Sequence, residues 1–587
     1  MVSNTADEAP LAAADEVDPL TGLLTFASFR PKAQAFLDNP PALGPAPSIV
    51  YFNVENMKLY NERFGLVAGD ELLAHVARAI ESSFPQGLVS RVGDDRFVLI
   101  TCDDSLADGI ERVYHEVRDH NDAMQSIIRA GVYEHDGHAD VTLSCDRAKM
   151  ACDHIRGRYD VFWRQYDEAL FESIERRQRI LGKFDDAMRL GHIQVYFQPI
   201  FRTIGTKVCE FEALARWIDP DEGFISPADF IPVLEDARLI HRFDLHIIET
   251  VCRQFSIVLK EGYPLAPANV NLSKLDMELC DIVAETDRLM RMYNVPANIL
   301  NIEITESVFS NDNEVLQDTI RRFHDLGLQV WMDDFGSGYS SLNALRDYPF
   351  DVVKFDLAFL RNKDAESAAK ARLMLSHVTS MMKDLGYQTL AEGVETKEQL
   401  DFLAEIGCEK VQGFYFAKPA PLGEFAKRVM SGEFEVEAES QRAYMNEVGR
   451  VNLMATSTVG LNLDRGMELS SSVPASIVEF HAGTVRYLAW NDSYVEYLRD
   501  IGMNSIENST VQMNDKTRTQ SQGFFAASEK LRGKPDWMDI AFYEEDDLCT
   551  GRARCIAYDE QADTCAFVFV ATNISKLLAR AGYNLGA

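Results

Sequence analysis

Leu328–Asp334 reads LQVWMDD, a short apolar run closed by two aspartates, and the arrangement recurs on both sides of it. Ile299–Glu306 (ILNIEITE) precedes it and Val352–Asp356 (VVKFD) follows. Ile193–Gln198 (IQVYFQ), Val208–Leu214 (VCEFEAL), Asn269–Ser273 (NVNLS), Gln388–Glu395 (QTLAEGVE) and Lys410–Phe416 (KVQGFYF) complete eight units. A helix-like stretch usually follows each run. Eight such units predict a closed (β/α)8 barrel of the TIM type, whose active site forms from polar residues at the carboxyl ends of the strands. Those ends carry Glu212, Asn271, Glu303, Asp333, Asp334 and Glu392. Five carboxylates and an amide at one mouth repel one another unless cations hold them, which predicts a divalent-metal enzyme.

The rest of the chain is too long for the same core. Its 587 residues imply two to four domains, and 46% hydrophobic with 26% charged residues is ordinary for globular protein. The net charge of −34 argues against a nucleic-acid polymer or an anionic membrane as partner. No apolar run approaches the ~18 residues of a membrane span. Residues 1–17 are acidic, lack the pattern of a secretory signal, and read as a disordered tail. The ten cysteines form no CxxC pair, so free thiols in a reducing cytoplasm are expected. Cys549, Cys555 and Cys565 lie closer together than the others, which leaves a redox or metal role open.

Residues 18–165 read as an α/β domain. Ser48–Val54 and Arg96–Thr101 have the composition of buried strands, and Gly69–Ser82 has helical periodicity. Residues 166–181 read as a linker helix, residues 182–432 as the barrel, and residues 433–468 as a polar linker. Residues 469–587 show two strands turning at Ala482-Gly483, a helix capped at Asn491 or Asp492, and three more strands.

Eight barrel landmarks, in order, resemble the EAL phosphodiesterase family. They are Tyr196–Ile200 (YFQPI), Glu212–Trp217 (EALARW), Asn271–Ser273 (NLS), Glu303–Glu306 (EITE), Asp333–Leu342 (DDFGSGYSSL), Lys354–Asp356 (KFD), Ala391–Glu395 (AEGVE) and Gln412-Gly413 with Pro419. The resemblance implies hydrolysis of cyclic di-GMP to linear pGpG with two Mg²⁺ or Mn²⁺ ions, oxygen ligands favouring these over zinc. It assigns one ion to Glu212, Asn271, Glu303 and Asp333, and the second to Asp333, Asp334 and Glu392. It places Lys354 beside the nucleophilic water and gives Glu306 the support of the Asp334–Leu342 loop. Gln198, Leu214, Arg216, Asp356, Glu395 and Gln412 are then contacts around the substrate. Phe355 stands where isoleucine is usual and points away from Lys354 by strand alternation. Taken one at a time these residues have plainer readings: a lone glutamate at a strand end is commonly solvated, and an Asp-Asp pair can cap a helix.

Asp18–Leu23 (DPLTGL) and Arg91–Phe97 (RVGDDRF) are similar to the opening and the RxGGDEF hairpin of GGDEF domains, the diguanylate cyclase fold. The resemblance places Asn61, Asp70, Asp95 and Arg158 at a GTP site. The departures imply lost cyclase activity: Asn53 replaces a metal-binding aspartate, Asp94 the second glycine, Arg96 the signature glutamate and His154 a phosphate-binding lysine. The RxxD motif is absent, Phe84–Gly87 (FPQG) standing there. Regulatory GTP binding and a purely structural role both remain open. The C-terminal pattern resembles a PAS domain. The family resemblance also implies a homodimer. A catalytically silent cyclic di-GMP receptor is the alternative to an active enzyme.

Overall fold

The computed structural model describes residues 16–41, 45–120, 128–158, 160–305, 314–336, 341–357, 365–451, 453, 473–544 and 547–571. Glu306, residues 337–340 of the glycine-rich loop and most of the acidic N-terminal segment lie outside them. Internal contacts divide the chain into residues 1–180 and 181–587. That boundary falls inside one helix, Glu168–Leu190, so the expected linker helix and the start of the barrel share an element.

The first unit is built on six strands: β1 (Leu24–Thr25), β2 (Ser48–Val54), β3 (Leu88–Gly93), β4 (Arg96–Thr101), β5 (Ile128–Glu134) and β6 (Trp163–Gln165). Their order is β1-β3-β4-β2-β5-β6, with β2 antiparallel to both neighbours. Both faces of β2 are covered, which is why SIVYFNV is apolar almost throughout. Val50, Phe52 and Val54 pack with Leu72, Val76 and Ile80 of helix Leu66–Ser83. Ile49 and Tyr51 pack on the other face with Phe29, Ala33 and Ala148. Each such side chain contributes roughly 1.5–3 kcal/mol on burial. Gly131 of β5 allows helix Val141–His154 to lie against the sheet, since a Cβ there would fall 1.9 Å from the Ala148 carbonyl oxygen.

The second unit holds the barrel. Its strands are β7 (Ile193–Arg202), β8 (Val208–Asp219), β10 (Ala268–Leu272), β11 (Leu300–Thr305), β12 (Val330–Asp333), β13 (Val352–Asp356), β14 (Gln388–Glu392) and β15 (Lys410–Val411), with β9 (Gly223–Ile225) extending β8 as a flap. The ring closes through β8 and β10. Eight strands and closure agree with the reading of the eight runs. The direction of the first strand does not follow a uniform βα repeat: β7 is antiparallel to both β8 and β15. Only Thr203–Lys207 joins β7 to β8, too short for the crossover that parallel strands require.

Side-chain alternation stacks the barrel interior in layers. Ile200, Cys209, Trp331, Val352 and Leu390 form an apolar layer. The Lys410 ammonium lies 4.5 Å from the Trp331 ring and 3.1 Å from Glu210, both ends of this ion pair being buried. Two residues further along β8, β12, β14 and β15 come Glu212, Asp333, Glu392 and Gln412.

Residues 433–468, expected as a linker, include a helix, Glu439–Gly449. Its Tyr444 and Val448 pack on Ile477, Ala557 and Ala566 of a C-terminal sheet. That sheet has β16 (Ala475–His481), β17 (Thr484–Trp490), β18 (Met538–Glu544), β19 (Asp547–Asp559) and β20 (Thr564–Ala571), ordered β17-β16-β20-β19-β18 and wholly antiparallel. Asn491 caps helix Asp492–Asp500 by accepting from the Tyr494 N–H, as expected. Two further helices, Ile506–Asn514 and Thr519–Leu531, were not anticipated. On the barrel floor, Arg202 of β7 meets Glu437 through three hydrogen bonds of 3.1–3.3 Å and also reaches Asn446 of the helix.

Candidate active site

The barrel mouth is organised around Lys354. Its side chain is fully buried at the centre of β13. Its ammonium lies 3.1 Å from Glu303 Oε2, 3.1 Å from Asp333 Oδ1, 3.4 Å from Glu392 Oε1 and 3.7 Å from Glu212 Oε1. Strand register makes this possible. Asn271 is paired with Glu303, Thr305 with Asp333, and Asp356 with Glu392. Asn271 also donates to Glu212 Oε1 at 3.4 Å. Ser273 caps the next short helix in a capping box with Asp276, fixing the chain just beyond Asn271.

One ammonium is too little charge for this group. Five carboxylates, Asp334 included, against one lysine leave a formal −4 that two divalent cations would cancel. Burial pushes the Glu303 and Glu392 carboxyls well above their ordinary range, and burial with the neighbouring Asp333 charge raises Asp334. Asp333 goes the other way: burial opposes its charge, but Lys354 and hydrogen bonds hold it below the usual range. The same carboxylates drive the Lys354 ammonium up against its burial. Glu303 Oε1 is buried and finds no hydrogen-bond partner among the described residues, which suits an acceptor that expects a cation. Among the described residues no three His, Cys, Asp or Glu are drawn together as a ready metal cage; the carboxylates are spaced around the lysine instead. The donor set is nonetheless all oxygen, suited to a hard divalent ion.

A chain of amides backs this cluster. Gln412, buried just beyond β15, donates to Glu212 Oε2 at 2.6 Å and Gln198 Oε1 at 3.1 Å. Gln198 donates in turn to the Ala417 carbonyl at 3.2 Å. Of the two glutamines expected as substrate contacts, Gln412 bonds Glu212 directly and Gln198, the register partner of Glu212 on the antiparallel strand, bonds Gln412. Gly413 follows because a Cβ there would lie 2.1 Å from the Val394 carbonyl oxygen. Asp334 has a φ of 57° and its N–H donates to Asp333 Oδ1 at 2.9 Å.

The remaining expected contacts lie around the rim. Arg216 is half-buried, with its guanidinium 5.9 Å from the Tyr196 ring centre and one nitrogen donating to the Ala215 carbonyl. Leu214 is half-buried, and Asp356 and Glu395 are exposed. Phe355 is buried edge-to-face against Phe335, its ring centre 5.7 Å away, which agrees with a packing role. Sequence reasoning missed the depth of Lys354 and the pairing of the two glutamines; the alternation of Lys410 with Gln412 was the available signal.

In the first unit, the two recognised motifs meet physically. Asp18 accepts from the Thr21 N–H at 2.9 Å and hydroxyl at 2.7 Å, and pairs with Arg91 at 3.2 Å. Arg91 also donates to the Asp94 carbonyl at 2.7 Å. Asp94 holds a φ of 46°, the conformation that favours the glycine it replaces. Asn53 faces Arg96 across β2 and β4, and Arg96 lies 3.6 Å from Asp95. Asn61 sits so close to Gly69 that a Cβ there would fall 1.9 Å from its Oδ1, an atom that is buried and has no hydrogen-bond partner among the described residues. Asp70 is exposed on the same helix as Gly69. Arg158 is exposed and pairs with Asp160 at 2.9 Å. Burial and the charges of Arg164, Arg158 and Arg177 lower the His154 imidazole.

Comparison with known proteins places names on both regions. Residues 182–419 match the EAL domain model, and residues 15–153 match the model for the diguanylate cyclase, GGDEF domain. An uncharacterized signaling protein of Caulobacter vibrioides is 30% identical over 71% of this chain and 52% of its own length. The cyclic di-GMP phosphodiesterase PdeR of Escherichia coli is 29% identical over 65% of this chain and 58% of its own length. The chain spans about half the length of the curated relatives it matches first. Among solved structures, the PaMucR phosphodiesterase in complex with c-di-GMP is 28% identical, with a TM-score of 0.39, over 42% of this chain and 99% of that one. Among the described residues no helix is long and apolar enough to cross a membrane.

Proposed function

We propose, from the premise that residues 15–153 are a GGDEF domain and residues 182–419 an EAL domain in tandem, that this chain hydrolyses cyclic di-GMP to linear pGpG. The carrying observation is the convergence of Glu212, Glu303, Asp333 and Glu392 within 3.1–3.7 Å of one buried lysine at the barrel mouth. Glu212, Asn271, Glu303, Asp333, Asp334 and Glu392 would hold two Mg²⁺ or Mn²⁺ ions. Bound there, the ions would offset the substrate's two phosphate charges and acidify a water. Lys354 keeps four carboxylates at fixed spacing and adds a positive charge behind the attacked phosphorus. Gln412 fixes which way the Glu212 carboxylate faces. Arg216, steadied on Tyr196, supplies a planar pair of donors for a phosphate, and Leu214, Asp356 and Glu395 border the nucleotide.

The GGDEF domain makes no cyclic dinucleotide in this reading. Asn53, Asp94 and Arg96 remove charge and backbone approach where a triphosphate and its metal need them. Asn61 and Asp70 stand at the positions that resemble the family's guanine contacts, with Asp95 and Arg158 at the remaining GTP positions, so GTP acts as an effector. The C-terminal sheet is a PAS-like regulatory domain, and the chain works as a homodimer. The test is incubation with cyclic di-GMP and Mg²⁺ or Mn²⁺, with and without GTP, beside Glu212→Ala. Product pGpG from the wild type alone supports the reading. Binding without product under every condition makes the chain a receptor.

A further inference from the structure

We propose that Cys555 and Cys565 form a peroxide-responsive dithiol site that closes to an intramolecular disulfide. Their sulfurs lie 3.1 Å apart on neighbouring strands β19 and β20. Regular pairing would not bring them together. Cys565 is opposite Tyr558, and residues three apart on a strand face opposite sides. The register shifts between Cys555 and Ala557, so one extra residue on β19 returns Cys555 to the face of Cys565. Both side chains sit in the core on that face, among Phe480, Phe567 and Phe569, with 8% and 0% exposure. The opposite face carries Ala557 and Ala566, which pack on helix Glu439–Gly449.

The pair also differs in chemistry from the other thiols. The hydrogen bond between the two sulfurs holds the Cys555 thiol below its ordinary range, with the Gly533 backbone assisting, and pushes the Cys565 thiol up. Burial pushes the Cys145, Cys152, Cys209 and Cys252 thiols up to about 12 and Cys408 to about 11. A thiol lowered in this way is the more readily ionised, and the thiolate is the nucleophile. The co-reactant is a hydroperoxide, and hydrogen peroxide is the smallest. The Cys555 thiolate attacks one peroxide oxygen, the O–O bond breaks, and the departing hydroxide takes a proton to become water. Cys555 is then a sulfenic acid. The Cys565 sulfur attacks that sulfur, the S–O bond breaks, and the released hydroxide leaves with the Cys565 proton as a second water. Two thiols lose two electrons in total and one peroxide gains them.

The test treats the full chain with stoichiometric hydrogen peroxide, blocks remaining thiols, and maps unreduced peptides by mass spectrometry. The expected result is a Cys555–Cys565 linked peptide, lighter by two hydrogens and released by dithiothreitol. Cys565→Ser removes the resolving thiol, so dimedone trapping of Cys555 rises at least about tenfold over wild type. The proposal is overturned if both cysteines remain alkylatable in the wild type after exposures that already oxidise the partly exposed Cys102 and Cys280.

Discussion

Replacing Lys354 with methionine keeps the volume of a buried straight chain and deletes an ammonium that lies within 3.1–3.7 Å of four carboxylates. Removing one partner of a buried ion pair costs about 3–5 kcal/mol, because the other charge is left uncompensated. For a barrel of this size, 1 kcal/mol moves the melting temperature by about 2–4 °C. In EDTA, Lys354→Met should therefore melt about 6–20 °C below wild type. Saturating Mg²⁺ or Mn²⁺ should return part of that loss, since the cations supply charge where the ammonium was. The assay is a thermal melt of the full chain, with hydrogen exchange over β11 to β14 assigning the transition to the barrel. The reasoning fails if the EDTA melt is within 2 °C of wild type, a shift worth under ~1 kcal/mol, or if divalent ions leave the mutant's melt unmoved.

Other outcomes follow from the same geometry. Gly413→Ala places a Cβ against the Val394 carbonyl and should cost about 1–3 kcal/mol with loss of turnover, read by urea unfolding and a product assay. Glu437→Gln leaves the buried Arg202 guanidinium short of its charge partner and should cost about 3–5 kcal/mol, with faster hydrogen exchange in helix Glu439–Gly449. Asp94→Gly relieves a positive φ and should stabilise the first unit by up to about 1 kcal/mol, while GTP turnover stays absent. His324, whose imidazole is raised chiefly by its hydrogen bond to Asp351, contributes stability that is complete below its unfolded value near 6.5 and is lost as pH rises through its folded value. His324→Gln should flatten the melting temperature above about pH 6.5.

Much of the barrel was legible because its strands announce themselves twice. An apolar run marks each strand, and an acidic or amide residue at its end marks the mouth, so Asn271, Glu303, Asp333 and Glu392 could be placed without coordinates. The direction of β7 was not visible in IQVYFQ, because an alternating strand reads the same either way up. The short Thr203–Lys207 connection held that information. Lys354 was legible as inward-facing, but its full burial depends on eight strands closing around it. The amide chain through Gln198 and Gln412 joins residues from β7 and the end of β15, a contact no local pattern encodes. The linker expected over residues 433–468 hides helix Glu439–Gly449, which has few apolar residues. Tyr444 and Val448, four apart, are the pair that docks it on the sheet. In the first unit, the replacement at Asp94 was visible in the motif, while its positive φ needed the hairpin itself.

The most direct test of the central claim measures pGpG release from cyclic di-GMP by the full chain in Mg²⁺ or Mn²⁺, with binding followed in parallel for wild type, Glu212→Ala and Glu392→Gln. Steady turnover by the wild type, lost in both variants, is the result this account predicts. Tight binding by all three proteins with no product from any of them would contradict it.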